Sequence, residues 1–270
     1  MALMRVRTLI GKELREFRAS PSAIIPVVIV VLVTLIIPFA VLVLVPALSG
    51  QSVAADPAIA RALTFATQYM PALTGLSHEA AAEAFLFQQF LLLFLLSPIV
   101  GAVSLAAYSV VGEKQGRTLE PLLTTPLTTA EILLAKVLAS FIPSLVIEIV
   151  GVTLYFVLMW AFASPGVPAV VFGWRTTLLL GVIGPLAALT ALQATIAVSS
   201  RANDPRSAQQ IAVLLVLPLV AMLVGQIAGA FIITTTVLAG VAAGLALIWV
   251  LLVLLSVALF DRENILTRWR

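Results

Sequence analysis

Long apolar runs alternate with short polar breaks along this chain. The runs fall at about 22–46, 85–110, 132–160, 176–199, 208–231 and 237–260. Each reaches the roughly 20 residues that a helix needs to cross a bilayer. The pattern predicts an all-α polytopic membrane protein with six transmembrane helices. The breaks hold residues that start or stop helices. Ser20-Pro21 precedes the first run, Ala163-Ser164-Pro165-Gly166 follows the third, and Asn203-Asp204-Pro205 separates the fourth from the fifth. Thr234-Thr235-Thr236 is the weakest boundary, so the last two runs form a tight hairpin or one contains a re-entrant piece.

Three polar stretches have a pattern of their own. In Met4–Arg18, Val6, Leu9, Ile10, Leu14 and Phe17 recur at three- and four-residue steps, while Arg5, Lys12, Arg15 and Arg18 fall on other faces. Such a helix rests on a lipid surface with its cations near anionic headgroups. Glu13 falls inside the apolar stripe. It either pairs with neighbouring arginines or contacts the polar loop described below or a partner. In the connection 47–84, Asp56-Pro57 has the form of an N-cap with proline in first helical position, opening a short helix to about Tyr69. Ser77 is placed to cap a second helix through Glu79 and Glu83 into the second span.

The third stretch is Gly112–Lys136, GEKQGRTLEPLLTTPLTTAEILLAK. Gly112 and Gly116 permit a tight turn. Arg117–Thr124 can form a short helix with Leu119, Leu122 and Leu123 on one side, and Pro126 bars its continuation. Thr128-Thr129-Ala130-Glu131 is a capping box before an apolar run, so a new helix starts there and becomes the third span. Lys136 lies one to two turns inside, able to snorkel to the interface. Leucines on a short polar-loop helix point to a protein or lipid contact.

Composition supports the membrane class. The chain has 270 residues, 62% hydrophobic and 10% charged, against about 25% charged in soluble domains. It contains no cysteine and one histidine, His78. Thiolate metal sites are therefore excluded, and no His pair or Gly-x-Ser-x-Gly element is present for an intramembrane hydrolase. Ile24–Val45 is too long for a signal-peptide core of about 7–15 residues and reads as a retained span. Thirteen of the fifteen Lys and Arg residues fall on the side of the termini and the Gly112–Lys136 loop; only Arg61 and Arg175 fall on the other. The positive-inside rule then puts both termini and that loop in the cytosol, with Trp160 and Trp174 near the outer interface.

Residues Glu113 to Leu127, EKQGRTLEPLLTTPL, followed by Glu131 to Lys136, EILLAK, resemble the signature of type-2 ABC transporter permeases. Lys12-Glu13-Leu14 in a basic amphipathic helix is similar to the same family. Arg117 interrupts the usual Gly-Thr pair, and Ala135 stands where glycine is common; neither removes the helix–proline–helix plan. The resemblance implies one permease domain over 1–270, with an interface helix at 1–20 that includes Lys12, Glu13 and Arg15, an outer loop at 47–84 and a coupling loop at 111–131. It also implies that Glu113, Arg117, Leu119, Glu120, Leu122, Leu123 and Pro126 dock on a cytosolic ATPase subunit. The chain lacks a G-x-x-x-x-G-K-[ST] phosphate loop, so ATP and Mg would bind that partner and no cofactor or metal would bind this chain. A second permease copy or a related permease would complete the transporter in the cell membrane, surrounded by lipid and with no nucleic acid.

Glu148 is the acidic residue deep in a span. Such a charge marks function by default, here a substrate or cation contact. The other reading is a protonated or hydrogen-bonded carboxyl between helices, facing Gln193 or Gln226. Pro143 is placed to kink this helix. Gly181, Gly184-Pro185, Gly225, Gly229, Gly240 and Gly244 permit close helix packing. A secondary transporter or channel is the alternative function. Ion-coupled carriers usually hold several intramembrane charges and matched broken helices, and this chain shows one such acid and no evident repeat.

Overall fold

Backbone N–H accounting explains most of the helix boundaries in the computed structural model. It describes residues 2–115, 128–199 and 234–259, with isolated positions 210, 221 and 225; a few side chains near the segment ends lie outside that description. The described residues are helical and turn, with no strand among them. Helix α1 is Ala2–Ala19, and Val6, Leu9, Glu13 and Phe17 make its buried stripe. Ser20 breaks it and Pro21 opens α2, Pro21–Phe39, where proline's missing N–H leaves nothing unsatisfied. The same rod continues through a π-turn, Ala40–Leu44, and a last turn, Val45–Ser49. Pro46 cannot donate to the carbonyl one turn back, and the π-turn absorbs that gap. Gly50, at φ 68°, ends the rod in the left-handed conformation that glycine adopts without penalty.

The next connection has the expected caps. Asp56 Oδ1 accepts from the Ala58 N–H at 2.7 Å and Pro57 starts α3, Pro57–Tyr69. Ser77 Oγ accepts from the Ala80 N–H at 3.3 Å and opens α4, His78–Phe94. After a turn at Leu95, α5 runs from Leu96 to Gln115. The turn has a simple cause. Pro98 has no N–H to give the Phe94 carbonyl, so the helical ladder is interrupted where the apolar run predicts continuity.

Thr128 then caps α6, Thr129–Phe162. Its hydroxyl accepts from the Glu131 N–H at 3.2 Å, while Glu131 Oε2 accepts from the Thr128 N–H at 2.7 Å. At 1.5 Å per residue its 34 residues extend about 51 Å, well beyond a hydrocarbon core of about 30 Å. The helix is continuous through Pro143. Gly166, at φ 90°, reverses the chain into a short turn, Val167–Val171. A second turn, Trp174–Leu178, leads through a π-turn, Leu179–Ile183, into α7, Gly184–Ser199. Pro185 again explains the π-turn, because it cannot donate to the Gly181 carbonyl. Finally α8 is Thr235–Leu259, with Thr234 Oγ accepting from the Val237 N–H at 3.4 Å. The weak Thr234 boundary is thus a helix start.

Five stretches are long and apolar enough to cross a membrane: Ala23–Ser49, His78–Ser109, Ala130–Phe162, Trp174–Ser199 and Thr235–Ser256. The expected span at 208–231 lies outside the described residues. The α4–α5 rod is the hub, buried over 83% of its most apolar window, whereas the α8 window is 6% buried. Around it pack α2, α6 and α7. Tyr155 pins the later half of α6 among Phe39, Phe87, Phe94 and Phe156, and its hydroxyl donates to the Phe87 carbonyl at 2.8 Å. Glu83 on α4 closes the far end, accepting from the Ser164 N–H at 2.9 Å and the Ser164 hydroxyl at 3.1 Å. Trp160 and Trp174 are exposed at that end.

Candidate functional site

The end of α5 and the start of α6 flank the segment 116–127, and α1 lies against α6. Six side chains meet there. Lys136, in the second turn of α6, is 1% exposed, Glu13 of α1 is 0% and Glu113 of α5 is 4%. The Lys136 ammonium lies 3.0 Å from Glu13 Oε1 and 2.9 Å from Glu113 Oε2. It also donates to the Ser109 carbonyl at 3.0 Å and the Ser109 hydroxyl at 2.9 Å. Lys12 approaches from the open side. Its ammonium is 2.9 Å from Glu113 Oε1 and 3.3 Å from Glu16 Oε1.

Apolar contacts enclose this cluster on both sides along α1. Val6, Leu9 and Ile10 pack with Ile132 and Ala135, and Phe17 with Ala23, Leu105 and Ala139. Water is kept from the Lys136 pairs, so neither partner is replaceable by solvent. Removing one member of a buried pair typically costs about 3–5 kcal/mol, because it strands the other charge. Burial alone would lower the Lys12 ammonium. The hydrogen bond and charge of Glu113, then the charges of Glu13 and Glu16, outweigh it and raise Lys12 above its ordinary value of 10.5.

One expectation changes here and another is met. Lys136 does not snorkel; it turns inward because two carboxylates and Ser109 offer its three N–H groups better partners than the interface does. Glu13 pairs with Lys136, the last residue of the Gly112–Lys136 stretch, in line with the expected contact between Glu13 and that stretch. Of the other residues implied in docking, Glu113 faces into the cluster, while Arg117, Leu119, Glu120, Leu122, Leu123 and Pro126 lie outside the described residues. Arg15 is exposed on α1. Glu148 sits elsewhere, midway along α6 and 4% exposed. Its Oε1 has no hydrogen-bond partner and forms no bond to Gln193; Gln226 is outside the described residues. Instead it points at Gly184, where an added Cβ would lie 2.7 Å from Oε1. Gly181, Gly240 and Gly244 have open space where a Cβ would stand. No group of three or more metal-ligating side chains occurs among the described residues.

A family model described as "ABC-2 family transporter protein" matches residues 7–244, from the second turn of α1 into α8. The chain belongs to the ABC-2 transporter family. No curated protein and no solved structure matches it. As an ABC-2 family member it is a multi-pass membrane protein and an ABC transporter permease, a component without an ATPase site of its own. The matched region contains the whole charged cluster. Sequence reading found Lys12, Glu13, Glu113 and Lys136 as separate features of this permease. Beyond one reading that brought Glu13 to the Gly112–Lys136 stretch, it missed their convergence and the part played by Ser109. The available signal was Glu13 itself, an acid inside an apolar stripe that needs a cation from another element.

Proposed function

We propose that this ABC-2 permease couples ATP hydrolysis by a separate cytosolic ATPase subunit to export of a substrate across the cell membrane. One observation carries the reading. The buried Lys136–Glu13–Glu113 cluster ties α1 to both ends of the segment that bears the permease signature. A force applied to residues 116–127 would therefore reach α1, α5 and α6 together. In this reading α1 is the interface helix and the segment at 111–131 is the coupling loop. Both lie in the cytosol with the termini, as the Lys/Arg distribution requires. Leu119, Leu122 and Leu123 form the apolar contact with the ATPase, and Arg117 and Glu120 its ionic rim. Glu113 acts from inside as a positioning residue, and Pro126 breaks the docking helix from α6. ATP and Mg belong to the partner, and a second permease copy or a related permease completes a pair of six-helix subunits. Glu148 lies on the substrate path, and the apolar bundle suits an amphipathic or lipid-like cargo.

The test is reconstitution with a purified cytosolic ABC ATPase subunit. The permease is expected to co-purify with it and to stimulate its ATPase activity. Leu122→Asp with Leu123→Asp is expected to abolish both while leaving the permease folded. Intact binding and transport by that double variant would overturn the docking assignment.

A further inference from the structure

Lys136, Ser140, Ser144 and Glu148 recur at four-residue steps along α6. A helix turns once in about 3.6 residues, so they form one stripe. All four are buried, at 1%, 0%, 0% and 4% exposure. Two glycines on neighbouring helices close against the stripe. An added Cβ at Gly101 of α5 would lie 2.9 Å from Ser144 Oγ, and at Gly184 of α7 2.7 Å from Glu148 Oε1. The stripe begins in the charged cluster and ends at Glu148, about 18 Å along the helix.

Its two ends are supplied very differently. Lys136 is surrounded by carboxylates, whereas Glu148 Oε1 and Ser140 Oγ have no hydrogen-bond partner. Among the described residues, no cation on the elements packed on α6 pairs with Glu148. Helices α2, α7 and α8 contain no titratable residue. Helix α5 has Tyr108, Glu113 and Lys114 at its end remote from Leu95; on α1, Lys12, Glu13 and Glu16 gather at Lys136, Arg7 and Arg15 are exposed, and Arg18, also exposed, lies beside Pro143, Val146 and Ile147 of α6 without pairing with Glu148. His78, Glu79 and Glu83 of α4 and Arg175 lie toward the opposite end of the bundle, and α6 itself adds Glu131 and Tyr155. Among the described residues none makes an ion pair or hydrogen bond with Glu148. Leu95 Cδ2 lies close to the same point, 3.6 Å from a Cβ added at Gly184. A carboxylate there would be an unpaired charge in hydrocarbon, whereas a carboxylic acid would not. A metal cation would need several oxygen ligands.

The backbone is irregular at this level on two facing elements. Helix α7 starts at Gly184 directly after the π-turn Leu179–Ile183, and the α4–α5 rod breaks at Leu95. Such irregularities are where helices bend or shift register. We propose that Glu148 is an intramembrane proton-binding site, loaded while α6 and α7 are closed at Gly184 and emptied when they part. On opening, the carboxyl O–H bond breaks, the electron pair stays on the carboxylate and the proton passes to water; closing reverses the transfer. The permease reading supplies only what drives the opening. The proton site does not depend on it.

The full chain in lipid vesicles, without ATPase or nucleotide, is treated with dicyclohexylcarbodiimide, which modifies protonated carboxyls in apolar surroundings. Mass spectrometry of the Glu148 peptide is expected to show modification at acid pH that falls about tenfold per pH unit beyond the midpoint. The chain has no cysteine, so Ile183→Cys gives a single reporter beside Gly184. Its maleimide labelling is expected to rise several-fold with pH and to stay flat when Glu148→Gln is added. Modification independent of pH, or no modification at any pH, would overturn the proposal. So would an Ile183→Cys profile unchanged by Glu148→Gln. If Glu148→Gln fails to fold, the carbodiimide profile of the native side chain still decides.

Discussion

Lys136 is an intramembrane-facing lysine whose charge is fully enclosed by protein, and its neighbours set what each substitution does. Lys136→Met strands Glu13 with no cation and is expected to lower stability by about 3–5 kcal/mol in detergent unfolding titrations. Glu13→Leu combined with Lys136→Met removes both charges, and the pair is expected to lose less than Lys136→Met alone. Equal or larger loss in the double variant would show that the pair is not the relevant unit. Lys12 behaves differently because it is partly open. Its raised value means that the folded state holds the proton more tightly than the unfolded state. That contribution is complete below pH 10.5 and disappears as pH climbs through the raised value. The stability gap between the native chain and Lys12→Met should therefore be constant at neutral pH and close at strongly alkaline pH, read from melting curves. Sequence alone exposed Glu13 as an anomaly, but not its partner. The two are separated by 123 residues, and local periodicity says nothing about contacts at that distance.

At the scale of elements, side-chain caps were the most legible feature. Asp56, Ser77 and Thr128 each start the helix that their position predicts, because a helix start leaves N–H groups that only a nearby oxygen can satisfy. Thr128→Ala deletes the hydroxyl acceptor of the capping box and should cost about 1 kcal/mol, with Thr128→Ser retaining most of it, by the same unfolding titration. The interruptions were less legible. Pro98 and Pro185 leave the carbonyls of Phe94 and Gly181 without a donor, yet Pro143 does the same to Ala139 and α6 stays continuous. A proline reveals that one hydrogen bond is missing. Whether the rod then breaks, widens into a π-turn or carries on depends on the helices packed around it.

At the scale of the whole molecule, a central α4–α5 rod is wrapped by helices that leave broad apolar faces uncovered. On α8, Leu247, Leu251 and Leu254 are exposed, as lipid or a second permease requires. The class was legible because apolar runs of this length have few other uses; which faces close against which was not, since nearly every face is apolar. Sidedness has a direct check in this cysteine-free chain. Gln68→Cys on α3 and Thr125→Cys in the loop should label with an impermeant maleimide from opposite faces of the membrane, Thr125→Cys from the cytosolic face alone. Labelling of both from one face would overturn the assigned topology.

The distance between Glu13 and Lys136 along the chain also imposes an order of assembly. At about 5–20 residues per second, a ribosome that has finished Glu13 needs roughly 6–25 s to reach its partner. During that time α1 is an amphipathic helix with an unmatched acid on its greasy side, free to leave the lipid surface. It is made well before its partner, and the event that fixes it is the arrival of the third span. Newly synthesised chains stopped before Lys136 should therefore keep α1 open to proteases long after their first two spans are protected.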